Sequence, residues 1–262
     1  MRIVSMLVGL LILGGGFAYI VALRQSDKMS FADVMGTIGV SVPGEEVLEK
    51  EYAAADVTTG EGEGEIRRIV IGLDLSASNP LVSNPEYAAK AAERVAGMIT
   101  PLGFRSEVVM RTFGAYGGGG NSFRFDATIS SRYRPEDMAA EVKTLIASTP
   151  ALIKRGVWQT QQQTNILGWL ENMSQVVDCK GMKTTYVLLT DGLEDSEYVR
   201  LKNKNATLPV PNPALFRGCD ELIFLGLGRG TQSPETTGRL REEWHLWADK
   251  AGFRSYVGLN DW

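Results

Sequence analysis

The sequence predicts an α/β protein: a mostly parallel six-stranded sheet with one antiparallel edge strand, helices on both faces, and a single transmembrane helix in front. Three observations carry this reading. From Arg67 onward, short apolar runs suited to buried strands alternate with segments of helical period, as in a sheet enclosed between helices. The β-rich runs "FRSEVVMRTFGAY" and "NSFRFDATISSRY" are joined across Gly117 to Gly120, and a short glycine connection joins antiparallel neighbours. Ahead of all this, Ile3 to Leu23 is a run of 21 residues without a charge, flanked by Arg2, Arg24 and Lys28. At about 1.5 Å per residue it spans a hydrocarbon core of about 30 Å.

The elements follow in order. Residues 1–25 are read as a retained membrane anchor; if they were instead a cleaved signal, Gly16 and Ala18 would be the small residues before the cut. Residues 26–65 form an acidic stalk, in which "PGEEVLEKEYAAADVTTGEGEGE" sets eight carboxylates against one lysine and "GEEVLEKEYAA" has the makings of a loose helix. The globular domain covers 66–262. "RRIVIGLDL" is its first strand, and "NPEYAAKAAERVAGMITPLG" its first helix, with Asn84 as cap, Pro85 at the first position, and Pro101 and Gly103 as stop signals. After the two β-rich runs come a helix begun by Pro135 and another opening at Thr164, the latter facing Ile166, Leu167, Leu170, Met173 and Val177 inward. "KTTYVLLTDG" and "CDELIFLGLGRG" are buried strands, "SPETTGRLREEWHLWADKAG" is a helix capped at Ser233 and closed by Gly252, and "FRSYVGL" is the last strand.

Composition excludes some functions. The net charge of -4 comes without a basic block to neutralise phosphates, so no nucleic-acid partner is expected. The two cysteines, Cys179 and Cys219, each precede a strand that should start at the same end of the sheet. They are read either as a disulfide, which would place the domain outside the cytoplasm, or as two separate small thiols.

Chemistry gathers where strands end. In a parallel sheet the carboxyl ends share one edge, and ligands bind there where the strand order reverses. Asp74 closes the first strand and Ser76 and Ser78 follow at alternate positions; Thr164 heads a helix; Asp191 closes a later strand. Their oxygens are hard ligands, suited to Mg2+, Mn2+ or Ca2+. Taken singly, each is also an ordinary turn or cap residue. Together, "DLSAS", "TNI" and "TDG" resemble the metal-ion-dependent adhesion site of von Willebrand factor A domains, and the resemblance runs from about Arg67 to Leu259. It implies a doubly wound sheet and a divalent cation, Mg2+ first, held by Asp74, Ser76, Ser78, Thr164 and Asp191. It also implies a position on that cation for an Asp or Glu carboxylate of a protein partner. Thr160 is a rival to Thr164, because "QTQQQTNI" departs from the glycines common before that threonine. Glu194 and Asp195 are read as solvated loop acids.

Enzyme readings are weaker. His245, the single histidine, has no sequence partner that would make it a general base, and Gly226, Gly228 and Gly230 follow a late strand with the wrong spacing for a dinucleotide loop. The expectation is therefore a membrane-anchored, extracytoplasmic, non-enzymatic protein-interaction domain with no small-molecule substrate. Two alternatives stay open: a metal-dependent phosphohydrolase built on Asp74 and Asp191, and a scaffold of a membrane assembly whose metal site is vestigial.

Overall fold

The computed structural model describes residues 36–37, 64–115, 123–231 and 233–262. The 3–23 run, most of the acidic stalk and the Gly117–Gly120 connection lie outside the described residues. Among the described residues no helix is long and apolar enough to cross a membrane.

β1 (Arg67–Asp74) is central, as its run of buried residues requires. On one side it pairs in parallel with β2 (Glu107–Phe113), which pairs antiparallel with β3 (Arg124–Thr128) at the edge. On the other side follow β4 (Lys183–Leu189), β5 (Glu221–Leu225) and β6 (Ser255–Leu259), all parallel. The order β3-β2-β1-β4-β5-β6 reverses direction between β1 and β4, so the crevice expected to take a ligand lies over the ends of those two strands.

Alternate residues of the strands feed two cores. Ile69, Ile71, Leu73, Val187 and Leu189 pack with α1 (Pro85–Ile99), α2 (Pro135–Ala147) and α3 (Thr149–Lys154). Val70, Tyr186, Leu188 and Phe224 pack with α4 (Ile166–Val176) and α5 (Pro234–Ala251), where Trp244 and Trp247 are core residues. Gly72 keeps the second face close: a Cβ there would come within 2.9 Å of the Trp169 ring. The anticipated caps are in place. Asn84 Oδ1 accepts from Tyr87 N, Ser233 Oγ accepts from Thr236 N, and Gly252 closes α5 in the left-handed region at φ 99°.

Cys179 and Cys219 form a disulfide, with Cα atoms 5.0 Å apart. Of the two readings of these cysteines, the paired one holds. Two elements were not anticipated: α3, directly after α2, and a 3-10 turn over Pro80–Val82 started by Asn79. The helix expected to open at Thr164 begins at Ile166, because Asn165 takes the cap and accepts from Gly168 N at 2.7 Å.

Candidate metal site at the carboxyl rim of the sheet

At the switch point the chain buries acids. Asp74 and Asp191 are fully buried, Ser76 and Thr164 nearly so, and Ser78 is exposed at the mouth. Asp74 ends β1, and Asp191 lies two residues past the end of the neighbouring β4. Asp74 Oδ1 accepts from Ser76 N at 2.8 Å and its Oδ2 from the Thr190 hydroxyl at 2.7 Å. Asp191 Oδ1 accepts from Leu193 N at 2.9 Å, whereas its Oδ2 is buried without a hydrogen-bond partner. An orphaned buried acceptor of this kind costs on the order of 1–3 kcal/mol.

The serine loop is sewn in place from two sides. Ser76 Oγ and Ser78 Oγ lie 3.4 Å apart. Asn79 Nδ2 donates to the carbonyls of Asp74 and Leu189, tying the ends of β1 and β4 together, while its Oδ1 caps the 3-10 turn. The "QTQQQTN" loop then pairs with the serine loop: Ala77 N donates to Gln161 O and Gln161 N to Leu75 O. Thr164 arrives in this way on a backbone already fastened to the rim, with its own N–H and C=O paired to Asp195. Because Asn165 does the capping, the Thr164 hydroxyl is not the cap of α4; its rival Thr160 is exposed.

Glu194 departs from expectation. It is fully buried, with Oε2 accepting from Ile166 N at 2.8 Å and Leu167 N at 3.2 Å, so it closes the first turn of α4, where a negative charge is favoured. Its Oε1 is buried without a hydrogen-bond partner. Asp195 is the more solvated of the two and sits near Arg200 and Lys202.

Electrostatics follow from this burial. Desolvation, and then the Asp191 charge, push Asp74 up to about 7, against the pull of the Thr190 hydroxyl and Ser76. Burial raises Asp191 as well, opposed by the Leu193 N–H, the Ser78 hydroxyl and Lys202. Glu194 is pushed up to about 7, chiefly by burial, with Asp74 adding to the rise. The Thr190 hydroxyl on Asp74 Oδ2 sets the residue before Asp191, just past the neighbouring strand β4, against the end of β1.

The donor set suits a hard cation that keeps water in its shell. Among the described residues no group of three or more His, Cys, Asp or Glu side chains gathers as a metal centre. A cation here would therefore take two carboxylates and fill its remaining positions with hydroxyls and water, the pattern of Mg2+ more than of an all-protein Ca2+ cage. Asp191 Oδ2 is the unpartnered acceptor such an ion would meet. The β5–α5 loop passes directly beside it, since a Cβ on Gly230 would come within 2.1 Å of that oxygen. Gly226 and Gly228 take positive φ in the same loop, which is a glycine turn between strand and helix.

Asn79 and Thr190 are polar residues of this rim that sequence reasoning missed, and Glu194 is one that it placed in solvent. Asn79-Pro80 carries a turn signal. His245 is exposed on α5, with its ring against Tyr256.

No family model and no curated protein matches the chain. Solved structures that resemble it include the pilus adhesin SpaC from Lactobacillus rhamnosus GG in its open conformation, at 16% identity and a TM-score of 0.40 over 77% of this chain and 28% of that one. A mutant of the PilB minor pilin from Streptococcus sanguinis is similar at 12% identity and a TM-score of 0.43, over 79% of this chain and 59% of that one. The chain thus spans less than two thirds of either.

Proposed function

We propose that this domain is a von Willebrand factor A-like module that binds one divalent cation, Mg2+ the best match, and through it a carboxylate on a protein partner. Asp74, Ser76 and Ser78 would hold the ion, and Thr164 and Asp191 would act directly or through water. The cation would supply a fixed positive charge for an Asp or Glu side chain. This chain's own residues would hold that charge at the carboxyl rim. The observation that carries the reading is the pair of buried acids on adjacent strand ends, one of them with an unpartnered oxygen. Two acids whose charged forms are disfavoured by burial, Asp74 further so by the Asp191 charge, suit a cation, which would offset that cost on binding. The reading is of a binding domain.

The disulfide supports an extracytoplasmic location, since such bonds persist in oxidising compartments. With residues 1–25 as anchor, 26–65 as stalk and 66–262 as domain, the module would stand off a membrane surface. A pull-down from native membranes tests the reading, run with Mg2+, with chelator, and with Asp74→Ala. Partner capture that needs both Mg2+ and Asp74 is the expected result. Capture that persists in chelator would favour a scaffold with a vestigial site, and phosphate-ester turnover lost in Asp74→Asn would favour a phosphohydrolase.

A further inference from the structure

Asp191 Oδ2 is isolated by a segment other than the three that carry the five candidate ligands. The loop after β5 runs against it, and a Cβ on Gly230 would stand 2.1 Å from Oδ2 and 3.0 Å from Asp191 Cγ. The carboxylate has little room to yield, because Asp191 is fully buried and its Oδ1 is held by Leu193 N at 2.9 Å. No N–H of the loop reaches Oδ2, which is left without a hydrogen-bond partner. The glycine backbone therefore shuts water away from this oxygen without replacing it, which costs free energy until a partner arrives.

The loop is fastened from both sides. Gly228 N donates to Asp191 O at 2.8 Å, and Gly226 N and Leu227 N both donate to Leu259 O at the end of β6. Just past that strand, Asn260 Nδ2 donates to Leu227 O at 2.9 Å. Arg229, the residue before Gly230, makes the outer fastening. Its Nε donates to Asn260 O at 2.7 Å, it pairs with the Asp261 carboxylate at 2.8 Å, and its guanidinium lies 5.4 Å from the centre of the Tyr87 ring. Tyr87 is itself fixed, since its hydroxyl donates to Leu225 O at 2.8 Å. The seat of Gly230 against Asp191 is thus set by α1 and by the residues after β6, outside the cation site.

We propose that Gly230 is a positioning residue of the cation site and Arg229 the clasp that seats it: together they keep Asp191 Oδ2 dry and in place, so that an ion entering at the exposed Ser78 meets an acceptor with no water to lose. The proposal rests on the cation reading above and adds a fourth segment to it. An acceptor already stripped of water and held still binds with less desolvation and less ordering than a hydrated one. Any side chain at 230 would force the carboxylate to turn or the loop to lift, and either movement takes the oxygen from its place or lets water reach it.

Gly230→Ala and Arg229→Gln test it on the full-length chain, beside Gly238→Ala, a control on α5 where a Cβ meets nothing within 4 Å. In Mg2+ titrations Gly230→Ala should weaken binding at least about tenfold, as loss of a residue that orients a ligand does. Arg229→Gln should weaken it about threefold, and the control should match wild type. Metal-free melts supply a readout that packing elsewhere would not move. Gly230→Ala should lower the melting temperature in the wild-type background and leave it unchanged in Asp191→Ala, where the oxygen it would meet is gone. Should Gly230→Ala fail to fold, the Mg2+ affinity of Arg229→Gln decides. Equal losses in both backgrounds, or wild-type Mg2+ affinity in either variant, would overturn the proposal and leave the cation reading standing; no Mg2+ binding by wild type would overturn both.

Discussion

The two ends of the sheet treat the same acidic side chains in opposite ways. At the amino end Glu65 is exposed between Lys183 and Arg67, whose side-chain bonds hold its pKa below the usual carboxylate range. Arg68 with Glu107 and Arg254 with Asp220 repeat the arrangement nearby. At the carboxyl end Asp74, Asp191 and Glu194 are buried and raised, and among the described residues none of them makes a salt bridge. The amino end is charge matched by charge in water, worth little to stability. At the carboxyl end the folded chain holds buried acids that raise one another's cost, of the kind that gathers at functional sites.

The largest test of this contrast is Asp74→Asn. In chelator at pH 8 the variant should be more stable than wild type by on the order of 2–4 kcal/mol, because a buried acid held up to about 7 is forced to ionise there. Mg2+ should then stabilise wild type alone. Thermal melts with and without Mg2+ check both halves, and a destabilised variant would mean that the carboxylate serves the fold.

The pH dependence is the next largest effect. Asp74 ordinarily titrates near 3.8 and is pushed up to about 7 when folded, and Glu194 moves the same way from 4.5. Between these values the folded chain binds more protons than the unfolded one, so metal-free stability should fall as pH rises from about 4 through 7 and level off above. Excess Mg2+ should flatten the fall, since it binds the ionised form. Denaturant midpoints across this range measure it; a flat metal-free profile would contradict the raised pKa values.

A smaller effect is expected at Glu194. Glu194→Gln keeps the shape but weakens the acceptor holding Ile166 N and Leu167 N, and with it the backbone that carries Thr164. Mg2+ affinity should fall about 10-fold, as for residues that orient ligands, with amide exchange rising over Ile166–Gly168. An unchanged affinity would remove Glu194 from the account. At the opposite end Glu65→Gln should leave the denaturant midpoint close to that of wild type, because an exposed pair screened by water contributes little. A larger loss in denaturant melts would break the contrast from the other side.

Much of this was legible in the sequence, for reasons that differ by element. α1 and α5 carried complete local signals, Asn84-Pro85 and Ser233-Pro234 at their starts and Gly252 at the end of α5, and both lie where those signals put them. The six strands were legible as apolar runs, and the alternation of Asp74, Ser76 and Ser78 marked the rim. β3 is shorter than its β-rich run suggested, since Ser130 and Tyr133 turn back on each other through paired backbone groups. What local pattern could not show was tertiary. Glu194 reaches Ile166 across 28 residues and Asn79 reaches Leu189 across 110, and no periodicity encodes such bonds. Asn165, one residue beyond the threonine that drew attention, took the cap because its side chain reaches Gly168 N.

Isothermal titration of Mg2+ into chelator-treated protein at pH 8, wild type beside Asp74→Ala, bears most directly on the central claim. A single saturable site in wild type that vanishes in the variant is the predicted result. No heat of binding in wild type, or the same isotherm in both, would mean that the acids at the carboxyl rim hold no cation.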